Sequence, residues 1–137
     1  MYLHRLLVLL GLVFLITHLM GLAFDSYMQV SLLQSLIPFA SPYRPLWSAL
    51  GTFALYGILL VGISAYLASK LGYKVWRSLH YLSFGLFWFS LWHGLFAGTD
   101  SPFAWMQLVY LATGLVVVFL TGARILKPRP QKRKATA

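Results

Sequence analysis

The residues of this chain that could do chemistry are its four histidines, and their spacing is regular. His4 and His18 lie fourteen residues apart, and His80 and His93 lie thirteen residues apart. Each pair falls in a long apolar stretch, where an imidazole is costly and typically functional. The interval from His4 to His80 is 76 residues and that from His18 to His93 is 75. The two pairs therefore match in register.

Two imidazoles on facing helices can bind the two axial positions of a haem iron. At 1.5 Å rise per residue, the histidines of one helix lie ~20 Å apart along its axis. Two such helices, side by side and in the same direction, place His4 opposite His80 and His18 opposite His93. The spacing thus predicts two stacked haems. Zinc is disfavoured, because the pairs are too far apart to converge and neither has a carboxylate or cysteine companion.

The interval of thirteen residues is geometrically awkward. Fourteen residues at 3.6 per turn return His18 to within about 40° of the face of His4, but thirteen leave His93 about 140° from His80. The second histidine helix is therefore expected to tighten, bend or tilt. Gly85, which lies between its histidines, makes such a distortion feasible.

Other residues are placed to complete a haem site. Gly11 and Gly85 lie between the histidines of their stretches, where a missing side chain would let a porphyrin approach, and Trp88 could supply a flat apolar wall. Basic side chains near the ends are candidates to contact haem propionates: Arg5, Lys74 and Arg77 beside His4 and His80, and Arg44 at the opposite end. Iron bound through haem is the only metal expected, and no catalytic residue is assigned.

Composition indicates a membrane protein, since 60% of the 137 residues are hydrophobic and only 9% are charged. The net charge of +9 comes from short clusters at the ends of apolar runs, not from one polar face, which disfavours nucleic acid as a partner. The chain has no cysteine, so disulfides, thiolate metal sites, iron–sulfur clusters and covalently attached haem are excluded.

The apolar runs predict an all-α integral membrane protein with four transmembrane helices in a bundle. The predicted spans are about 4–24, 46–69, 75–97 and 103–126, within one domain of residues 1–126. Residues 26–45 are predicted to form an outer interfacial loop or helix. A secretory signal cleaved after Gly21-Leu22-Ala23 is an alternative for the first run, and cleavage would remove His4 and His18.

Basic residues predict the orientation, because they collect on the cytoplasmic side of membrane proteins. A four-span chain places most of them on the side that holds both termini, so both termini are expected in the cytoplasm. Arg44, Asp25 and Asp100 fall on the other side. Residues 127–137 would be a basic cytoplasmic tail that contacts anionic lipid or docks a negatively charged protein.

Two segments resemble a known family. Trp76-Arg77-Ser78-Leu79-His80, followed by His93-Gly94-Leu95-Phe96-Ala97-Gly98-Thr99-Asp100, is similar to the ferric reductase-like transmembrane domain. That superfamily includes NADPH oxidases, ferric reductases, the haem membrane subunit of the periplasmic methionine sulfoxide reductase system, and short bacterial relatives. In the family, two helices with histidine pairs spaced fourteen and thirteen bind two b-type haems. The resemblance covers nearly all of residues 1–126 and implies the same ligands here, in a bacterial cytoplasmic membrane.

The chain departs from this family in two respects. Many relatives have six spans, with a helix before the first histidine helix, whereas this sequence starts three residues before His4. The oxidases and ferric reductases continue into a flavin and nicotinamide domain, but this sequence has no glycine-rich dinucleotide fingerprint. The expected function is therefore that of an electron-transfer subunit of a reductase system. A separate redox protein or quinol would donate electrons, and assembly would be hetero-oligomeric.

Two other classes of function compete with electron transfer. One is a haem-free membrane scaffold or assembly subunit, in which the histidines only pack. The other is a small transporter that uses intramembrane histidines as proton carriers. The absence of any carboxylate within the predicted spans weakens the transporter hypothesis.

Overall fold

The computed structural model describes residues 2–26 and 28–126, and in these residues the chain is helical with no strand. The helices, in chain order, are α1 (Tyr2–Phe24), α2 (Leu32–Leu36), α3 (Pro45–Tyr66), α4 (Ala68–Leu71), α5 (Tyr73–Ala97) and α6 (Ala104–Leu126). The all-α prediction is thus confirmed for the described part of the chain. The predicted tail at 127–137 lies outside the described residues.

Three of the described helices are long and apolar enough to cross a membrane: α1, α3 and α6. With 25 residues, α5 is longer than any of them, but it is not one of the three. Two histidines lie within it, and Lys74 and Arg77 lie in its first turns. These polar groups, together with its tyrosines and tryptophans, lower its mean hydropathy. Residues 2–26 and 28–126 therefore contain three candidate membrane-spanning helices, and the predicted fourth span stays a prediction.

The chain divides into two compact units, Met1–Ser101 and Pro102–Ala137. The second contains α6, a single helix whose only described basic residue in the last turn is Arg124. The first contains α1 to α5 and all four histidines. The candidate site is therefore contained in the first unit.

Within the first unit, α3 and α5 pack closely as an antiparallel pair. The Trp47 ring at the start of α3 lies 4.3 Å from the Phe96 ring near the end of α5, and farther along α3 Gly57 meets Leu86. The buried residues of α3 are mostly small: Ala49, Thr52, Ala54, Leu55 and Ser64. Small side chains let two helix backbones approach, as in many membrane helix pairs.

By contrast, α1 stands apart from this pair. It has no buried residue, and none of its Cα atoms lies within 8 Å of a Cα atom of α3 or α5. The short helix α2 contacts both α1 and α3. On the α3 side, the Thr52 hydroxyl donates to the Ser35 carbonyl at 2.9 Å and the Tyr56 hydroxyl donates to the Leu36 carbonyl. The backbone of α1 is therefore connected to the pair through α2.

One of the described helix termini, the end of α3, comes before the end of the predicted span. The end of α4 and the start of α2 each have a clear local cause. The second apolar run was predicted to continue to residue 69, but α3 ends at Tyr66 because Leu67 leaves helical geometry, with φ −89° and ψ 11°. The short α4 then ends at Gly72, whose φ of 77° and ψ of 154° belong to a region that is almost restricted to glycine. In the predicted interfacial stretch, α2 begins with a capping box in which Ser31 and Gln34 bond reciprocally.

Candidate functional site

The structure brings the four histidines together in two pairs, each joining α1 to α5. The ring centroids of His4 and His80 lie 6.2 Å apart, and those of His18 and His93 lie 6.1 Å apart. The ring planes are steeply inclined, by 74° in the first pair and 79° in the second. These are the two pairs that the sequence spacing predicts.

The order of the pairs fixes the direction of the two helices. His4 precedes His18 on α1, and their partners follow in the same order on α5, so α1 and α5 run parallel. The histidines of each helix are thirteen or fourteen residues apart, or about 20 Å along the axis. The unit therefore has two separate imidazole pairs, one toward each end of the same two helices.

The awkward thirteen-residue interval is accommodated without a break in α5. The helix is continuous from Tyr73 to Ala97, with no π or 3₁₀ turn between its histidines. Both His80 and His93 nevertheless reach α1. Gly85 therefore marks no interruption of helical hydrogen bonding, and both rings reach α1 from an unbroken α-helix.

The separation within each pair fits two nitrogens bound to one metal ion. Two metal–nitrogen bonds of about 2 Å, plus about 1 Å from each nitrogen to its ring centre, give about 6 Å between centroids. Edge-to-face aromatic contacts also fall in this range. In an ordinary packing contact, however, the two helices would be expected to pack together, whereas here the Cα atoms of α1 and α5 stay more than 8 Å apart.

The described residues contain no group of three or more His, Cys, Asp or Glu side chains that could hold a metal ion. Each pair can therefore supply only two protein ligands. A metal bound there needs its remaining ligands from elsewhere, and a porphyrin supplies four equatorial nitrogens. The donor set thus fits haem iron better than a bare ion.

His93 is held from the side of α3. Its Nδ1 lies 2.9 Å from the carbonyl oxygen of Trp47, and because a carbonyl only accepts, Nδ1 must carry the hydrogen. In the neutral ring, Nε2 then has a free lone pair. The ring also lies against Gly51, where an added Cβ would stand 2.7 Å from both Cε1 and Nδ1. The local structure therefore leaves Nε2 as the ring nitrogen of His93 that could bind a metal.

His80 has a different environment. The Trp76 ring, one turn earlier on α5, stacks on it with centroids 5.4 Å apart and planes inclined by 27°. Its Nδ1 is buried without a hydrogen-bond partner among the described residues. The two α5 histidines thus differ in what fixes them: a backbone carbonyl for His93 and an aromatic face for His80.

The predicted pocket residues show no direct contact that assigns them to a cofactor. A Cβ added at Gly11 or Gly85 would meet nothing within 4 Å, but the same holds for Gly62 on α3. Trp88 is half-buried and lies against Phe87 and Trp92, with ring centroids 5.4 and 6.5 Å away. Their role in a pocket stays a prediction.

The predicted basic contacts lie at both ends of the paired helices. Arg5 and Lys74 are exposed in the first turns of α1 and α5, beside the first histidine pair. Arg77 donates to the hydroxyls of Tyr73 and Tyr81 on its own helix. At the other end, Arg44 adopts a left-handed conformation before α3 and donates to the Phe96 carbonyl.

Two residues that contact His93 were not predicted from the sequence: Trp47, through its carbonyl, and Gly51. Any residue type can supply a backbone carbonyl, so no side-chain pattern marks the first. Gly51 lies four residues after Trp47 on the same helical face, and a glycine within an apolar span is the only available signal.

Comparison with protein-family models, with curated proteins and with solved structures finds no match to this chain.

Proposed function

We propose that this chain carries electrons across the bacterial cytoplasmic membrane through two b-type haems, as the membrane subunit of a reductase system. His4 and His80 would be the axial ligands of one haem, and His18 and His93 those of the other. The observation that carries this proposal is the pairing itself, with centroids 6.2 and 6.1 Å apart on two helices whose backbones do not touch.

The chain's own contribution is to hold and orient the ligands in an apolar surrounding. The Trp47 carbonyl fixes the tautomer of His93, and Trp76 fixes the ring of His80. Arg77 and Arg44 would balance propionate charge at the two ends. Haem, when bound, supplies a one-electron ferric/ferrous couple whose potential depends on its ligands and surroundings.

The proposal includes a membrane arrangement with four spans. The apolar helices α1, α3 and α6 would cross the bilayer together with α5. The ring nitrogens of the α5 histidines would bind iron in place of hydrogen bonds to water. Both termini would lie in the cytoplasm, as the distribution of basic residues predicts. Lipid would surround the bundle, and no contact with nucleic acid is expected.

Electrons would enter from a separate redox protein or a quinol and leave to a partner across the membrane, in a hetero-oligomer. The family resemblance of the segments around His80 and His93 supports this role. No catalytic residue is proposed, and the proposed role is that of an electron-transfer component of an oxidoreductase.

The decisive experiment is a dithionite-reduced minus oxidised absorption spectrum of the purified protein, with haem measured per chain. We expect two haems in the wild type and about one in each single His→Ala variant. Thr17→Ala is the matched control, because Thr17 neighbours His18 but its hydroxyl donates to the Val13 carbonyl of its own helix at 2.9 Å, and the variant should keep both haems.

Folded protein without a Soret band would contradict the proposal and favour a scaffold or a histidine-dependent transporter. Full haem content in His4→Ala would contradict the first pairing. In that case another residue would have to ligate the iron opposite His80.

A further inference from the structure

The ring of His93 is held by two neighbouring positions on one face of α3. The Trp47 carbonyl accepts a hydrogen bond from Nδ1 at 2.9 Å, and Gly51, one turn later, lies directly against the ring. Residues four apart share a helix face, so the acceptor and the space for the ring come from the same surface. This surface is defined by the backbone of α3 and not by a polar side chain.

At Gly51, any larger residue would collide with the imidazole. An added Cβ would stand 2.7 Å from both Cε1 and Nδ1 of His93, closer than Cβ atoms approach other groups in real structures. The ring would have to move, and its hydrogen bond to the Trp47 carbonyl would lengthen or break. Gly51 therefore controls whether that hydrogen bond can form.

The other histidine of α5 has no such acceptor. His80 stacks on Trp76, and its Nδ1 is buried with no hydrogen-bond partner in residues 2–26 and 28–126. A hydrogen bond from the outer nitrogen of a metal-bound histidine raises the basicity of the ligand. A more basic ligand favours ferric over ferrous iron and lowers the reduction potential.

We propose that Trp47 and Gly51 are positioning residues for His93, and that they make the haem of the His18–His93 pair the lower-potential one of the two. This inference rests on the proposed function, because it assumes iron at both pairs. Its consequence is a built-in difference between the two ends of the electron path. At equilibrium an electron would favour the His4–His80 end.

The first test is a redox potentiometric titration of the wild type, followed by that of His18→Ala. We expect two resolved midpoint potentials, of which the lower disappears in His18→Ala. Disappearance of the higher component would overturn the inference, as would a single potential shared by both haems. This measurement does not depend on the folding of any variant at Gly51.

The second test is Gly51→Ala, titrated in the same way and compared by electron paramagnetic resonance of the ferric protein. We expect the lower potential to rise, or about half of the haem to be lost, while the higher potential and its resonance signal stay unchanged. Two unchanged potentials would overturn the inference, and so would an equal shift of both.

Two glycines of the same helix are matched controls. Gly62→Ala adds a Cβ that meets nothing within 4 Å and should change neither potential. Gly57→Ala presses on Leu86 of α5 without touching a histidine. If Gly57→Ala raises the lower potential as much as Gly51→Ala, the cause is helix displacement and the inference fails. A wild type that binds no haem would instead refute the proposed function.

Discussion

The rings of His4 and His80 lie 6.2 Å apart on two helices whose Cα atoms nowhere approach within 8 Å. Long side chains therefore cross a space that the backbones leave between them. His18 and His93 repeat the relationship at 6.1 Å toward the other end. Membrane helices associate through close van der Waals packing, so two such helices would ordinarily bring their backbones closer together. The separation of the two backbones at both histidine pairs is the observation that the haem proposal would explain.

The first prediction is that the haem content of a double histidine variant depends on whether its two histidines belong to the same pair. His4→Ala/His80→Ala should keep about one haem, no fewer than either single variant, because both changes remove ligands of the same iron. His4→Ala/His93→Ala should keep none, because it damages both sites. Haem per chain, measured on monodisperse protein, distinguishes the two.

The opposite pattern would refute the pairing. If the double variant of His4 and His93 kept one haem, those two residues would share an iron. The relative arrangement of α1 and α5 would then differ in the haem-loaded protein, although haem binding itself would stand.

A second prediction concerns the contact that holds α3 against α5. A Cβ added at Gly57 would overlap the side chain of Leu86, so Gly57→Ala should destabilise the protein by about 1–3 kcal/mol. Leu86→Ala should cost less in the Gly57→Ala background than alone, because it removes the overlapping atoms. Unfolding in detergent measures both effects, with Gly62→Ala as the reference for replacing a helical glycine, a change that alone should stabilise by about 0.5–1 kcal/mol. Equal stability of Gly57→Ala and Gly62→Ala would contradict the contact.

Helical periodicity accounts for how much of the site could be predicted from sequence. The nearly equal intervals of fourteen and thirteen residues between the histidines of two apolar stretches predict parallel helices in register, and the structure has α1 and α5 in that arrangement. The thirteen-residue interval predicted that the second histidine helix would tighten, bend or tilt so that both rings could face the first. It did not indicate that α5 would remain an unbroken α-helix from Tyr73 to Ala97.

The remaining features depend on contacts that no local pattern encodes. The support of His93 comes from the carbonyl of Trp47, 46 residues away in the chain. The end of α3 at Tyr66 depends on the backbone at Leu67, inside an apolar run that continues past it. Apolar composition predicts that a segment is buried in lipid or protein, but it does not predict where the helix within that segment ends.

The third prediction tests the turn between α4 and α5. Gly72 has φ 77° and ψ 154°, which a residue with a side chain adopts only with strain. Gly72→Ala should therefore lower stability by about 1–3 kcal/mol, although a Cβ there meets no neighbour within 4 Å. Gly62→Ala has the same open surroundings in an ordinary helix, so the difference between their unfolding midpoints isolates backbone strain. Matching midpoints would rule out this conformation at Gly72.

The last prediction concerns the sidedness of the membrane protein. The chain has no cysteine, so a single engineered thiol reports its own location without background. Ser69 on α4 and Thr99 after α5 are both exposed, and they flank α5 at opposite ends. If α5 spans the bilayer with its first turn in the cytoplasm, a membrane-impermeant maleimide added to intact spheroplasts should label Thr99→Cys and not Ser69→Cys.

Permeabilised cells provide the control, since both thiols should then react. Labelling of both positions in intact spheroplasts would mean that α5 does not cross the membrane, and the two histidine pairs could not lie at different depths. Labelling of Ser69→Cys alone would keep the span but invert it. The His18–His93 pair would then face the cytoplasm, and the direction in which the lower-potential site favours electron flow would be reversed relative to the membrane.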